Sequence, residues 1–182
     1  MPMTMAVVVT KSSPVLVGPS SASAAAEAAG QHINLSSFDR ALAFFPVTSF
    51  HVFDRAIPRP AETVRAALSR ALVHYFPVAG RVVAVSGGRL RIACTGEGVA
   101  FVAASADRSL ADAGLLDPPT GAPLLDELAV GLGAEGFRPS DPLLLVQVTD
   151  FACSGFVAGK LLFRCALLLL SFLVSSCLPD LG

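Results

Sequence analysis

The chain has 182 residues, of which 53% are hydrophobic and 15% are charged, and its formal net charge is -1. This length suits one domain, and the low charged fraction excludes a chain that is disordered throughout. Basic and acidic residues nearly balance and form no block of like charge, which excludes a phosphate-tracking nucleic-acid surface.

The segment before residue 31 predicts a strand followed by a loop. Residues 7–17 are apolar and β-branched with Pro14 inside the run, a pattern typical of an edge strand or of a strand followed by an extended arm. Residues 18–30 are rich in alanine and serine and contain one charge, Glu27, so we expect a flexible loop. No basic residue precedes the first short apolar run, so a cleaved signal peptide is not expected and the sequence predicts a cytoplasmic protein.

A short helix, a strand and a long helix are predicted between residues 36 and 76. Ser36 and Asp39 resemble a helix start, and residues 44–53 carry the aromatic and β-branched side chains of a strand. The clearest helix covers residues 60–76, because a proline suits its first turn and apolar residues recur on one face. Pro77 is expected to end it.

Three strands are predicted next, at residues 81–85, 90–94 and 99–103. Ser86-Gly87-Gly88 suits a hairpin turn between the first two, and Gly96 to Gly98 suits a turn before the third. We therefore expect an antiparallel meander.

The remaining pattern predicts a short helix from Leu110, a loop rich in proline and glycine, and two strands at residues 143–149 and 156–162. Helices and strands are mixed along the whole chain. The fold class is therefore expected to be α/β, with helices packed on a sheet.

Residues that could ligate a metal are too scattered to form a recognisable motif. The four cysteines show no C-x-x-C spacing, and no two histidines stand four apart on one helix. We expect reduced thiols in the core and no metal site. The residues concerned are Cys94, Cys153, Cys165, Cys177, His32, His51 and His74.

Two further patterns are interpreted as ordinary. Gly131, Gly133 and Gly136 spell G-x-G-x-x-G, the spacing of a dinucleotide-binding turn. No strand leads into them, and Pro139 stands where the phosphate-binding helix should begin, which favours a surface loop. His74 ends the long helix, where we expect a hydrogen-bonded histidine rather than a catalytic base.

Five sequence blocks resemble the plant BAHD acyl-CoA-dependent acyltransferases. The most specific is Tyr75 to Arg81, Y-F-P-V-A-G-R, which is similar to the family's Y-[FY]-P-x-A-G-R block. The other blocks follow in family order, so the resemblance covers about residues 5 to 159. They are Leu35 to Asp39, Gly96 to Val102, Asp141 to Thr149 and Phe151 to Gly159.

This resemblance implies the N-terminal domain of a chloramphenicol-acetyltransferase-like fold, a mixed sheet flanked by helices. Complete members move an acyl group from acyl-CoA to an alcohol or amine of a specialised plant metabolite. They are expected to act as cytosolic monomers, with acyl-CoA as co-substrate and no tightly bound cofactor.

The same resemblance implies that this chain is inactive. The family's H-x-x-x-D-G motif would begin at Arg164, where a histidine normally removes the acceptor's proton, and Leu168 occupies the aspartate position. Arginine stays protonated and cannot serve as a base. The family's second domain is also missing, so we assign no catalytic, cofactor-binding or metal-binding residue and expect a truncated member.

Residues 160–182 differ in composition from residues 1–159, because the last 22 residues hold nine leucines and one alanine. A retained intron, a shifted reading frame or a mispredicted gene model would produce such a change.

Residues 161–178 contain a single charge and are just long enough, as a helix, to cross about 30 Å of hydrocarbon. Two alternatives stay open. One is a non-catalytic interaction or decoy module, which would bind a complete relative through the apolar surface that the missing domain normally covers, and the other is a small tail-anchored membrane protein.

Overall fold

The computed structural model describes residues 7–41, 43–115, 122–131, 136–152 and 155–163. Within these residues the strands form two sheets, one of six strands and one of three, and helices pack beside them. The mixed α/β architecture expected from the sequence is confirmed.

The larger sheet comprises β1 (Val9–Lys11), β2 (Val15–Val17), β4 (Pro46–Phe53), β7 (Val99–Ala106), β8 (Leu144–Asp150) and β9 (Phe156–Phe163). The smaller sheet comprises β3 (His32–Asn34), β5 (Arg81–Val85) and β6 (Arg89–Ala93). The helices are α1 (Ala22–Ala28), α2 (Ser37–Ala41), α3 (Pro60–His74) and α4 (Ala122–Glu127), with a 3-10 helix at Phe76–Ala79.

The larger sheet is mixed, with strand order β1-β7-β8-β9-β4, and β2 pairs with β7 beside β1. β7 and β8 are parallel, whereas β8 with β9 and β9 with β4 are antiparallel. β8 is buried along almost its whole length, as expected for a strand covered on both faces. β4 lies at the edge, and β9 separates it from β8.

Helix α3 covers one face of the larger sheet. Its apolar face buries Leu68, Ala71 and Leu72 in the main hydrophobic core, which also contains residues of β7, β8 and β9. The helix begins at Pro60, as the sequence predicts, and ends at His74, where the chain tightens into the 3-10 helix that contains Pro77.

A second, smaller core lies between the sheet and the segments around α4. It includes Leu115, Leu124, Leu128 and Val157. The sequence predicts a short helix from Leu110, but residues 110–115 form turns and the helix occurs later, at α4.

The cap predicted before α2 is confirmed. The Ser36 hydroxyl donates to the carboxylate of Asp39 over 2.6 Å and accepts the backbone N–H of Asp39 over 3.0 Å. The backbone N–H of Ser36 also donates to Oδ2 of Asp39 over 3.3 Å, so the side chain of each residue accepts the backbone N–H of the other at the helix start. Pro14 lies between two short strands, β1 and β2, where the sequence predicts one edge strand or a strand followed by an extended arm.

Two further predictions of local structure are wrong. The alanine-rich stretch expected to be a loop contains α1, because alanine has the highest helix propensity of all residues. β7 does not continue a meander after β5 and β6: it leaves their sheet, pairs with β1 and β2, and runs parallel to β8. Its first four residues are all buried, which suits a central strand better than an exposed hairpin.

Candidate active site

The Tyr75 to Arg81 block forms the junction between α3 and β5. The chain passes from the helix through the 3-10 helix into Gly80, where an added Cβ would lie 2.2 Å from the carbonyl oxygen of Ala93. Only glycine allows this close approach of two backbones. The glycine of the block is therefore required by packing.

Arg81 connects this block to the turn before β7. Its Nη1 donates to the carbonyl oxygens of Gly80 and Gly98, each over 2.8 Å, and its Nε lies 3.4 Å from a carboxylate oxygen of Glu97. The backbone N–H of Gly98 also donates to the carbonyl oxygen of Ala79 over 3.0 Å. Two blocks that are separate in the sequence are thus held together.

The Arg81 side chain is almost fully buried, with 5% of the residue exposed. Burial lowers the pKa of its guanidinium, whereas the carboxylates of Glu97 and Asp141 raise it. Because the contacts of its donors within the described residues are to backbone oxygens and to Glu97, Arg81 serves to position the two blocks.

The last two blocks form the antiparallel pair β8 and β9, which leads toward the expected base. Gln147 on β8 is fully buried, and its Nε2 donates to the carbonyl oxygen of Glu127 over 2.8 Å and to Oγ1 of Thr149 over 3.0 Å. Its Oε1 has no hydrogen-bond partner within the described part of the chain. Gln147 therefore attaches the end of α4 to the sheet.

Gly159 of β9 pairs with Gln147 of β8 and also contributes to the packing of the α4 segment on the sheet. A Cβ at this position would lie 2.1 Å from the carbonyl oxygen of Leu128. The segment after α4 thus packs directly on the backbone of β9, five residues before the position of the expected base.

Three titratable residues share one face of the sheet near β9. Ser49 is opposite Lys160, and His51 is opposite Ala158, so His51 and Lys160 are diagonal neighbours on adjacent strands. Asp150 lies on the same face, opposite Phe156. No motif in the sequence brings His51 and Lys160 together, since only the strand register makes them neighbours. Asp150 shares their face of the sheet but lies four positions along β8 from the residue opposite Lys160.

Burial changes the pKa of each member of this group. It lowers the pKa of His51, with a smaller contribution from the positive charge of Lys160, and it also lowers the pKa of Lys160. It raises the pKa of Asp150. His51 Nε2 and Asp150 Oδ1 have no hydrogen-bond partner among the residues that the structure describes.

His51 does not occupy the position of the expected base. His51 pairs with Ala158 of β9. The position of the expected base, residue 164, follows Phe163, the last described residue of that strand. The five residue steps of extended strand from Ala158 to Phe163 alone correspond to about 17 Å. A neutral imidazole at His51 can accept a proton, but it lies far from the end of β9.

The predicted position of the base itself, Arg164, and that of the aspartate, Leu168, lie outside the described residues. The same is true of the whole segment 164–182, so the tail-anchor hypothesis falls on residues for which no structure is described. In the described ranges, no helix is long and apolar enough to cross a membrane.

The described ranges also contain no cluster of side chains that could hold a metal ion. Cys94 is a buried free thiol whose pKa is raised by burial, as expected for a core cysteine. Gly131 and Gly136 lie in exposed backbone on either side of Gly133, which is outside the described residues.

A family model described as "Transferase family" matches residues 7–161. Among curated relatives, Acyl transferase 15 of Oryza sativa subsp. japonica is 40% identical over 164 residues, covering 85% of this chain and 37% of the relative. Myricetin 3-O-glucosyl 1,2-rhamnoside 6'-O-caffeoyltransferase AT1 of Crocosmia x crocosmiiflora is 39% identical over 157 residues, covering 84% and 34%. The chain therefore spans about a third of the length of these relatives.

The solved structures agree on the fold. The crystal structure of vinorine synthase matches with a TM-score of 0.73 and 22% identity, covering 95% of this chain and 43% of that one. TRI101 of F. sporotrichioides, solved with coenzyme A and T-2, matches with a TM-score of 0.55 and 18% identity, covering 81% and 41%.

Proposed function

Because this chain belongs to the transferase family of plant BAHD acyl-CoA-dependent acyltransferases, we propose that it corresponds to the N-terminal part of such an enzyme and transfers no acyl group by itself. The family reaction joins the acyl group of an acyl-CoA to an alcohol or amine. This chain supplies the sheet that leads to the reaction centre and lacks the group that removes the proton.

The proposal rests on the residue that follows β9. By resemblance, the general base belongs at position 164, directly after Phe163, and the sequence places an arginine there. A guanidinium remains protonated at every physiological pH, so it cannot accept the proton of an attacking hydroxyl or amine. The second residue of the motif is replaced as well, by Leu168.

The boundary between the family part and the divergent tail is proposed near residue 159. The family match ends at residue 161, two residues beyond the last block, Phe151 to Gly159. Residues 1–159 would then form the partial acyltransferase domain, and residues 160–182 would be a segment of different origin.

The co-substrates of a complete protein are proposed from its relatives. The caffeoyltransferase of Crocosmia is named for an acyl group placed on an oxygen, and the fungal TRI101 structure holds coenzyme A. We therefore assign acyl-CoA as donor and an alcohol or amine as acceptor, with no tightly bound cofactor. We place such a protein in the cytoplasm as a monomer.

A second candidate function is a non-catalytic interaction module that binds a complete relative. The observation in its favour is that large apolar residues are exposed on β4 and just before it, at Phe44, Phe45, Val47 and Val52, and on α2 at Phe38. Exposed apolar surface is where proteins contact other proteins. Co-purification of the chain with a complete relative would support this function.

The proposal is tested by measuring release of free CoA thiol from acyl-CoA in the presence of purified chain, with and without an alcohol or amine acceptor. A complete relative such as rice Acyl transferase 15 serves as the positive control. We expect release to stay at the level without protein for every donor and acceptor. Release that depends on the acceptor would overturn the proposal.

A further inference from the structure

The outward face of the smaller sheet carries a group of basic and polar side chains. Arg91 of β6 pairs with Asn34 of β3, and Arg89 lies two positions before Arg91 on the same strand. Alternate residues of a strand share a face of the sheet, and so do residues directly opposite on neighbouring strands. The other face of this sheet packs on the main core through Val82 and Ile92. We call the outward group the basic cluster, and its members are Arg89, Arg91, His32 and Asn34.

No carboxylate balances the two arginines of the basic cluster. The strands β3, β5 and β6 contain no aspartate or glutamate. Among the described residues, the basic side chains that form ion pairs are those of Lys11, Arg59 and Arg81. Arg81 shares the face of the basic cluster, but it is paired with Glu97. The two positive charges of the cluster therefore have no anionic partner in this part of the chain.

The two arginines differ in their contact with the sheet. Arg89 is exposed, whereas Arg91 is half-buried and its Nε is enclosed without a hydrogen-bond acceptor in the described ranges. A buried N–H that has lost water and gained no partner costs free energy. An acceptor supplied by a ligand would remove this cost, and the exposed side chains of Arg89, His32 and Asn34 leave the cluster accessible.

We propose that the basic cluster is a binding site for a phosphate monoester. Such a group carries about -1.5 to -2 charges at pH of about 7 and has three terminal oxygens, so one phosphate balances both arginines. Guanidinium groups bind phosphate oxygens through two parallel hydrogen bonds. The imidazole of His32 and the amide of Asn34 supply further N–H donors. A single carboxylate would balance only one of the two arginines.

The surroundings favour a small phosphate ester over a nucleic acid. Val83 and Val85 are half-buried and lie directly opposite Arg91 and Arg89, so they offer apolar contact to the group that carries the phosphate. The cluster is confined to one small sheet, and the sequence has no block of basic residues that would follow a chain of phosphates. The site also lies outside the larger sheet that leads to the expected base, so it is independent of the proposed function.

The test is a titration of the isotope-labelled full chain with phenyl phosphate, followed by NMR through the Nε–H signals of arginine and the backbone amides of β6. We expect saturable shifts with a Kd between about 0.1 and 10 mM. Benzoate has the same ring but a single negative charge, and it should bind at least about tenfold more weakly.

Arg89→Gln and Arg91→Gln each remove one charge of the basic cluster and should weaken the binding of phenyl phosphate at least about tenfold. The matched control is Arg70→Gln, which removes an exposed arginine from α3 and should leave the Kd unchanged. Circular dichroism checks the fold of each variant. Because Arg89 is exposed, its variant keeps the test valid even if Arg91→Gln unfolds.

Absence of saturable shifts in the unaltered chain would overturn the proposal. Equal affinity for benzoate, or equal weakening by Arg70→Gln, would overturn it as well. The acidic residues outside the described ranges are Asp117, Glu135 and Asp180. Binding that is observed only when Asp117→Asn, Glu135→Gln and Asp180→Asn are combined would show that a carboxylate of the same chain occupies the cluster, and the proposal would be wrong.

Discussion

Nη1 of Arg81 donates a hydrogen bond to the carbonyl oxygen of Gly98 over 2.8 Å, across 17 positions of sequence. This contact joins the first strand of the small sheet to the turn that starts β7 in the large sheet. The two sheets are therefore linked through one buried guanidinium and the carbonyl oxygen of Gly98.

Replacing Arg81 should destabilise the fold. Arg81→Met removes the bonds to Gly80 and Gly98 and leaves two carbonyl oxygens in a buried region, so we expect a loss of about 2 to 4 kcal/mol in the free energy of unfolding. Urea denaturation measures this loss. The control, Arg89→Met, changes an exposed arginine on β6 and should cost less than about 0.5 kcal/mol. Equal stability of the two variants would contradict the positioning role of Arg81.

Gly159 should tolerate no side chain. In Gly159→Ala the new Cβ would lie 2.1 Å from the carbonyl oxygen of Leu128, so either β9 or the segment after α4 must move. We expect a loss of about 1 to 3 kcal/mol, in the range of overpacked cores. Gly131→Ala is the control, because a Cβ there meets no atom within 4 Å. Thermal unfolding that shows the same midpoint for both variants would mean that this close approach does not exist.

The stability of the chain should depend on pH through His51. The unfolded chain binds a proton at the ordinary pKa of about 6.5, whereas burial and, to a smaller extent, Lys160 lower the pKa of the folded form. The contribution of His51 to the free energy of unfolding is therefore complete above a pH of about 6.5. This contribution is lost as the pH falls from there through the lowered pKa of the folded state.

The variant His51→Gln should remove this loss, which is measured by urea denaturation at pH of about 7.5 and about 5.5. Lys160→Met should reduce the loss without removing it, because burial is the larger cause of the shift. Comparing each variant with the unaltered chain cancels the opposite contribution of Asp150, whose pKa is raised. An unchanged difference between the two pH values in His51→Gln would contradict this explanation.

Restoring the lost motif should not restore activity. The double variant Arg164→His, Leu168→Asp returns the two residues that the family resemblance requires, but the chain still spans about a third of the length of its relatives. We expect acceptor-dependent release of CoA to remain at background. Activity in this variant, together with an inactive unaltered chain, would show that residues of this chain alone can bind both substrates.

Local patterns in the sequence predict the elements that depend on nearby residues. Helix α3 has a proline in its first turn and one apolar face, and the cap of Ser36 and Asp39 needs only three positions of sequence. The strand pair β8 and β9 also follows from two apolar runs. These predictions succeed because the interactions that decide each element join residues that are close in sequence.

The remaining features depend on residues that are distant in sequence. β7 joins the larger sheet because β8, about 45 residues later, pairs with it in parallel, and no local pattern reveals that partner. The neighbourhood of His51 and Lys160 follows from the register of β4 with β9. The role of Gln147 was missed because a lone polar residue in an apolar strand gives no sign of its partner on α4.

The measurement that tests the proposed function most directly is mass spectrometry of the acceptor after long incubation with a high concentration of the unaltered chain and an acyl-CoA. The account predicts that only unmodified acceptor is found, while a complete relative under the same conditions produces the ester or amide. An acceptor that gains the mass of the acyl group in the presence of this chain alone would contradict it.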